Sequence, residues 1–132
     1  MIKPIFVDTS AIVALLNRND TFHDQAEKII LKIEKERVSL VITNYIRLET
    51  HALLLYRAGS KIALKFLEDK SWYVEWVSEQ DEHEALELIK KYNDKSFSLT
   101  DAASFVIMKR LNINYAFTFD RHFQQYGWSV LS

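Results

Sequence analysis

The sequence predicts an α/β protein with a mainly parallel sheet of about four to five strands, covered by helices on both faces. Three observations support this. Short apolar runs of strand length recur at Ile5–Val7, Val38–Ile42, Trp72–Val77 and Tyr115–Phe119, with Trp128–Leu131 as a last short candidate. Segments long enough for helices separate most of them, and several carry apolar residues on a helical period. No internal repeat, low-complexity tract or linker breaks the alternation, so residues 1–132 read as one domain.

The elements follow in order. After the first strand, Ser10–Asn17 fits a helix. Phe22, Ala26, Ile29, Ile30 and Ile33 share one face of a second helix from Phe22 to about Lys35. Thr43 or Asn44 can cap the helix that runs to Ala58, and Gly59 stops it. Ser60 restarts a helix to about Asp69. Ser78 with Asp81 forms an acidic variant of the capping box before an amphipathic helix to about Asn93. Thr100 is a plausible cap for a helix from Asp101 to Leu111.

Composition removes several function classes. The 17 basic and 18 acidic residues give a net charge of −1, so no bulk positive field attracts nucleic acid, and any such attraction must be local or come from a bound cation. The absence of cysteine removes disulfides, thiolate nucleophiles and zinc–cysteine sites. With Gly59 and Gly127 as the only glycines, neither a P-loop nor a dinucleotide fingerprint can be written. Ala11–Leu16 and Ala52–Tyr56 are among the longest apolar stretches, far short of a membrane span, and Asp8 arrives too early for a signal-peptide core. The expectation is a soluble cytoplasmic domain.

Carboxylates interrupt apolar sequence at four places. Asp8 ends the first strand, Asp120 ends the run Tyr115–Phe119, Asp101 opens an apolar helix, and Glu49 shares a helical face with Tyr45, Ala52, Leu53 and Tyr56. Burying a carboxylate is costly without a cation or good hydrogen bonds. Each has an ordinary structural explanation: Asp8 as a helix cap, Asp101 as a dipole partner, Asp120 as a turn acid. Glu49 on an apolar face is harder to explain that way. In an open α/β sheet, ligands sit beyond the carboxyl ends of the strands, where Asp8 and Asp120 fall. Two unit charges about 4 Å apart repel by about 4 kcal/mol at an effective dielectric of about 20, so such a cluster either protonates in part or binds a cation. An oxygen-rich set suits Mg2+ or Mn2+, and the matching reaction class is phosphodiester hydrolysis.

Taken in order, Phe6-Val7-Asp8-Thr9-Ser10-Ala11, Thr43-Asn44-Tyr45 with Leu48-Glu49, Ser98-Leu99-Thr100-Asp101-Ala102 and Thr118-Phe119-Asp120-Arg121-His122-Phe123 make the chain resemble a PIN domain. More narrowly, it is similar to VapC-type ribonucleases, the toxins of toxin–antitoxin pairs. Each motif is weak alone; the four in this order are specific, and the likeness runs from Ile5 to Leu131. The resemblance implies a three-layer α/β/α fold, Mg2+- or Mn2+-dependent endoribonuclease activity, an RNA substrate, a small antitoxin partner and a homodimer. Carried over by position, Asp8, Glu49, Asp101 and Asp120 match the acidic quartet. Asp8 and Asp101 are expected to touch metal directly, Glu49 and Asp120 to bind metal or position water. Thr9, Ser10 and Thr118 would support them through their hydroxyls. Asn44 and Asp94 are weaker candidates, better read as cap and loop residues.

One departure stands out. Many relatives carry a further acid two residues after the position of Asp120, where this chain has His122. That favours a single metal and leaves His122 as a candidate neighbour of metal or phosphate. His23, His51 and His83 show no metal-binding spacing and read as structural or solvated. For RNA phosphates, Arg47, Lys95, Arg110 and Arg121 lie near the motifs, with Arg47, Arg121 and His122 as the substrate-binding candidates. Trp72, Tyr73 and Trp76 can stack bases but fit a half-buried strand better. Two competing readings remain: a non-catalytic RNA-binding or scaffold protein on the same fold, and a phosphatase of the haloacid dehalogenase type. The phosphatase is disfavoured because Ser10 stands where its second Asp belongs.

Overall fold

A computed structural model describes residues 2–132. Among them, β1 (Lys3–Val7), β2 (Val38–Thr43), β3 (Tyr73–Glu75), β4 (Tyr115–Phe117) and β5 (Ser129–Val130) form one sheet in the order β3-β2-β1-β4-β5. Every neighbouring pair is parallel. The helices are α1 (Thr9–Leu16), α2 (His23–Glu34), α3 (Asn44–Arg57), α4 (Ser60–Glu68), α5 (Glu79–Lys91), α6 (Leu99–Arg110) and α7 (Arg121–Tyr126). The result is the three-layer α/β/α arrangement of the expected class.

Strand order explains where a site can form. The chain moves outward from β1 through β2 to β3, then returns to lay β4 on the other side of β1. The ends of β1 and β4 therefore flank a point where winding direction reverses, the usual ligand crevice of such sheets. The Asp8 N–H donates to the Phe117 carbonyl at 3.1 Å, holding those two ends together.

The core follows from strands apolar on both faces. Ile5, Phe6 and Val7 of β1, Val41 and Ile42 of β2, and Ala116 and Phe117 of β4 are all buried. In α6 every residue from Asp101 to Met108 is buried. That helix packs against α5, α7, α3 and β2, which explains why it is apolar all round rather than amphipathic. The Phe105 ring stacks on Tyr126 at 4.6 Å and meets Phe123 edge-on at 5.0 Å, fixing α6 against α7.

Several sequence expectations need correction. The cap of α6 is Ser98, not Thr100: Ser98 Oγ accepts from the Asp101 N–H at 3.0 Å and Asp101 Oδ2 accepts from the Ser98 N–H at 3.1 Å. The expected strand Trp72–Val77 shortens to an edge strand, and Tyr73 and Trp76 are exposed rather than core. Of the three aromatics Trp72 packs against the core, edge-on to Phe66 at 6.0 Å, beside Val74 and Val77, while Trp76 lies past the end of β3. Phe22 precedes α2 instead of joining its buried face and stacks on Phe119 at 4.6 Å. The short helix α7 is an addition. Asp120 caps it and Gly127, at φ 118°, ends it in the left-handed conformation that suits glycine.

Candidate active site

One cleft of about 520 Å³ opens at the carboxyl ends of β1 and β4, and Asp8, Glu49, Asp101 and Asp120 all line it. Four different segments supply these acids. Asp8 follows β1, Glu49 lies on α3, Asp101 is in the first turn of α6, and Asp120 caps α7.

Asp8 occupies the N-cap position of α1, yet its side chain makes no cap bond. Its Oδ2 instead accepts from Ser10 Oγ and Thr118 Oγ1, each at 2.8 Å. Each hydroxyl is itself fixed by a backbone donor. The Phe119 N–H reaches Ser10 Oγ at 2.9 Å, and the Asp120 N–H reaches Thr118 Oγ1 at 2.9 Å. Burial pushes the Asp8 carboxyl up from 3.8 to about 6. The Thr118 and Ser10 hydrogen bonds pull against this, and the charges of Asp120 and Asp101 add to it. A carboxylate held in that state gains most from a nearby cation.

Asp101 and Asp120 have structural duties as well. Asp101 closes the capping box with Ser98, and Asp120 Oδ1 accepts from the His122 N–H at 2.9 Å. The structural and chemical roles are therefore not alternatives here. The His122 ring joins them, with Nδ1 2.8 Å from Asp101 Oδ2 and 3.4 Å from Asp120 Oδ1. Ligand atoms of Asp101, Asp120 and His122 all lie within 4.8 Å of one another. Asp8 and Glu49 line the same cleft outside that tighter group.

Glu49 arrives by a route the sequence misjudges. The core face of α3 is Ile46, Thr50 and Leu54, not the face shared by Tyr45, Ala52, Leu53 and Tyr56. Thr50 is fully buried, where its hydroxyl donates to Thr9 Oγ1 at 3.2 Å. A polar threonine in the core series is what disguises it. Glu49 is exposed on the cleft wall, in a stripe with Leu53 and Arg57 at successive four-residue steps. Thr9 lines the cleft, but its hydroxyl ties α1 to α3 rather than supporting Asp8.

The expected cationic contacts fare differently. Arg47 does not line the cleft; its Nη2 reaches the Leu67 carbonyl at 3.4 Å, near the end of α4. Arg110 binds Asp81 and Glu75 on the flank of α5 and α6. Lys95 sits 3.7 Å from the exposed Asp94, and Arg121 is exposed outside the cleft lining. Asn44 Oδ1 accepts from the Val77 N–H at 2.8 Å, a structural tie between α3 and the end of β3. Phe22, Phe119, Asp20 and Arg57 line the cleft without having been singled out from the sequence. The two four-residue steps from Glu49 through Leu53 to Arg57 are the available signal for the last of these.

The other histidine near acids, His23, has Nδ1 2.7 Å from the Ala14 carbonyl and Nε2 3.3 Å from Glu27. With Asp24 these residues bring ligand atoms within 4.8 Å of one another, at the start of α2 and outside the cleft lining.

Comparison with known proteins agrees with this geometry. The PIN domain family model matches residues 5–129. The chain is 32% identical over 127 residues to the 23S rRNA-specific endonuclease VapC20 of Mycobacterium tuberculosis, covering 94% of this chain and 95% of that protein. It is 25% identical over 123 residues to Ribonuclease VapC26 of the same species, covering 90% of this chain and 89% of that protein. The crystal structure of VapC20, described as a sarcin–ricin loop cleaving toxin, superposes with a TM-score of 0.86 at 30% identity, covering 94% of this chain and 95% of that one. A toxin–antitoxin complex from Klebsiella pneumoniae shares the fold at a TM-score of 0.70 and 13% identity, covering 97% of this chain and 96% of that one. A parallel sheet with acids gathered at its winding reversal, matched by a family model over almost its whole length, means that this chain belongs to the PIN domain family.

Proposed function

We propose that this protein is a divalent-metal-dependent endoribonuclease that hydrolyses phosphodiester bonds in RNA, and that it is the toxin of a toxin–antitoxin pair. The observation carrying this reading is the convergence of Asp8, Glu49, Asp101 and Asp120 on one cleft. The donor set fits Mg2+ or Mn2+, being hard oxygens with one imidazole and no thiolate, and the raised Asp8 carboxyl lacks a compensating cation partner. Asp8, Asp101 and Asp120 would hold the ion. A bound divalent ion supplies charge neutralisation at a phosphoryl oxygen and a more acidic water.

The chain's own residues supply the rest. Ser10 and Thr118 fix the Asp8 carboxylate so that it need not reorganise during reaction. Glu49 stands exposed on the wall, placed to orient a water or accept its proton. Arg57, on the same stripe, offers a fork of donors to a phosphate of the incoming strand. The exposed ring of Phe22, stacked on Phe119, gives a base an aromatic surface at the mouth. Ser10 cannot serve as the general acid of a phosphatase, since its hydroxyl is committed to Asp8 and to the Phe119 N–H.

Large-subunit ribosomal RNA is the first substrate to try, because VapC20 is named for it. Site of action would be the cytoplasm; no helix among the described residues is long and apolar enough to cross a membrane. Exposed Leu48, Leu55 and Tyr56 on α3 and Leu64 on α4 offer an apolar surface for a second copy of the chain. An antitoxin would insert a basic side chain into the acidic cleft.

The test is cleavage of cellular RNA by purified protein with Mn2+ or Mg2+, beside Asp8→Asn and Asp101→Asn. Metal-dependent cleavage absent from both variants supports the enzyme. Cleavage persisting in both variants overturns the site, and absence of both cleavage and metal binding favours the scaffold reading. Growth arrest on expression, relieved by a small co-purifying partner, tests the toxin role.

A further inference from the structure

The position of His122 separates this cleft from one made of carboxylates alone. We infer that His122 Nδ1 is a direct ligand of the bound cation, making this a mixed nitrogen–oxygen centre that selects Mn2+ over Mg2+. The inference rests on the metal reading proposed above and deepens it.

Geometry carries the argument. Around an octahedral ion with bonds of about 2.1 Å, adjacent donor atoms lie about 3 Å apart. His122 Nδ1 stands 2.8 Å from Asp101 Oδ2 and 3.4 Å from Asp120 Oδ1, contacts from two different helices. A hydrogen bond to Asp101 alone would need only the first of these. Together the three donor atoms fall within 4.8 Å of one another, so small side-chain movements would bring all three onto one ion.

The imidazole is also held in place. Its backbone N–H donates to Asp120 Oδ1 at 2.9 Å, and its ring meets Phe97 edge-on at 5.4 Å. The side chain is 20% exposed, so the ring edge bearing Nε2 can carry its proton toward solvent while Nδ1 presents a lone pair. A nitrogen donor adds little for Mg2+, which prefers oxygen and water, and more for the later first-row ions. Mn2+, the hardest of the first-row ions, takes the carboxylates of this cleft as Mg2+ does while still accepting an imidazole.

The test uses the full-length protein and Mn2+ itself. Electron spin-echo envelope modulation of bound Mn2+ is recorded for the wild type and for His122→Asn, which keeps a polar side chain at this position but removes the imidazole. Expected is a nitrogen modulation in the wild type that disappears in His122→Asn, with Mn2+ affinity reduced by about tenfold or more and Mg2+ affinity little changed. Circular dichroism confirms that the variant is folded; His122→Asp serves in its place if it is not, with the same spectral loss expected. Bound Mn2+ without nitrogen modulation, or modulation that survives removal of the imidazole, overturns the inference and leaves the carboxylate metal site standing. Failure of the wild type to bind Mn2+ at all overturns the metal reading and this inference together.

Discussion

Thr118 Oγ1 donates to Asp8 Oδ2 at 2.8 Å while accepting from the Asp120 N–H at 2.9 Å, so one hydroxyl couples the carboxylate after β1 to the loop after β4. Thr118 and Asp8 are both buried, which makes the hydroxyl hard to replace. Thr118→Val keeps the shape but leaves a backbone donor and a carboxylate oxygen short of a partner. The expected cost is about 1–3 kcal/mol of unfolding free energy, read by urea denaturation, with weaker Mn2+ binding. Thr118→Ser should recover most of both.

The raised Asp8 carboxyl makes stability depend on pH in a direction unusual for an aspartate. Its folded value of about 6 exceeds the unfolded 3.8, so between these values the folded protein holds more proton than the unfolded chain. Its contribution is present in full below about pH 4 and is lost as pH rises through about 6, a change on the order of 3 kcal/mol. Melting temperatures without divalent ions should therefore carry a downward component over that window, which Asp8→Asn removes. Saturating Mn2+ should reverse it by binding the charged form. An identical pH profile for Asp8→Asn and wild type would contradict this.

The cap of α6 can be located by substitution. Ser98→Ala should cost about 1 kcal/mol, since it removes the oxygen that accepts from the Asp101 N–H. Thr100→Ala should be close to neutral, because it is the Thr100 backbone carbonyl that accepts from Ser104. Equal losses at the two positions would contradict the assignment.

Arg110 and Asp81 form a structural pair away from the cleft. Burial raises the Asp81 carboxyl, but hydrogen bonds from Arg110 and Ser78 outweigh this and hold it below its usual range. Arg110→Ala leaves Asp81 buried without its partner and should cost about 2 kcal/mol, part of Arg110 being in solvent. RNA cleavage at temperatures where the variant is folded should be unchanged.

The two arginines of α3 separate by function. Arg57→Ala in an inactive Asp8→Asn background should weaken RNA binding and lower its salt dependence by about one charge, measured by fluorescence anisotropy. Arg47→Ala should leave RNA affinity unchanged, because Arg47 reaches the Leu67 carbonyl instead. The reverse result would favour the arginine nearer Glu49 in sequence.

Much of this protein is determined locally. The runs Ile5–Val7 and Val38–Ile42 are strands because apolar, partly β-branched residues there are flanked by helix-forming segments, and Ser78 with Asp81 opens α5 through bonds between near neighbours. Alternation then requires a parallel sheet, and an acid directly after an apolar strand lies at its carboxyl end. Asp8 and Asp120 are legible for that reason, Asp101 and Glu49 as acids set in apolar helical runs, and family likeness names the chemistry they suit. Tertiary structure decided the rest. Strand order put β4 beside β1 and so brought Asp120 toward Asp8 across 112 positions of chain, a pairing no local pattern encodes. A buried Thr50 turned α3 so that Glu49, Leu53 and Arg57 face the cleft while Arg47 turns to α4. Edge placement left Tyr73 and Trp76 in solvent, and the docking of α7 beside α6 set His122 between Asp101 and Asp120. In each case the outcome depends on which distant surface covers a side chain, and burial of that kind is a property of the assembled fold rather than of the segment.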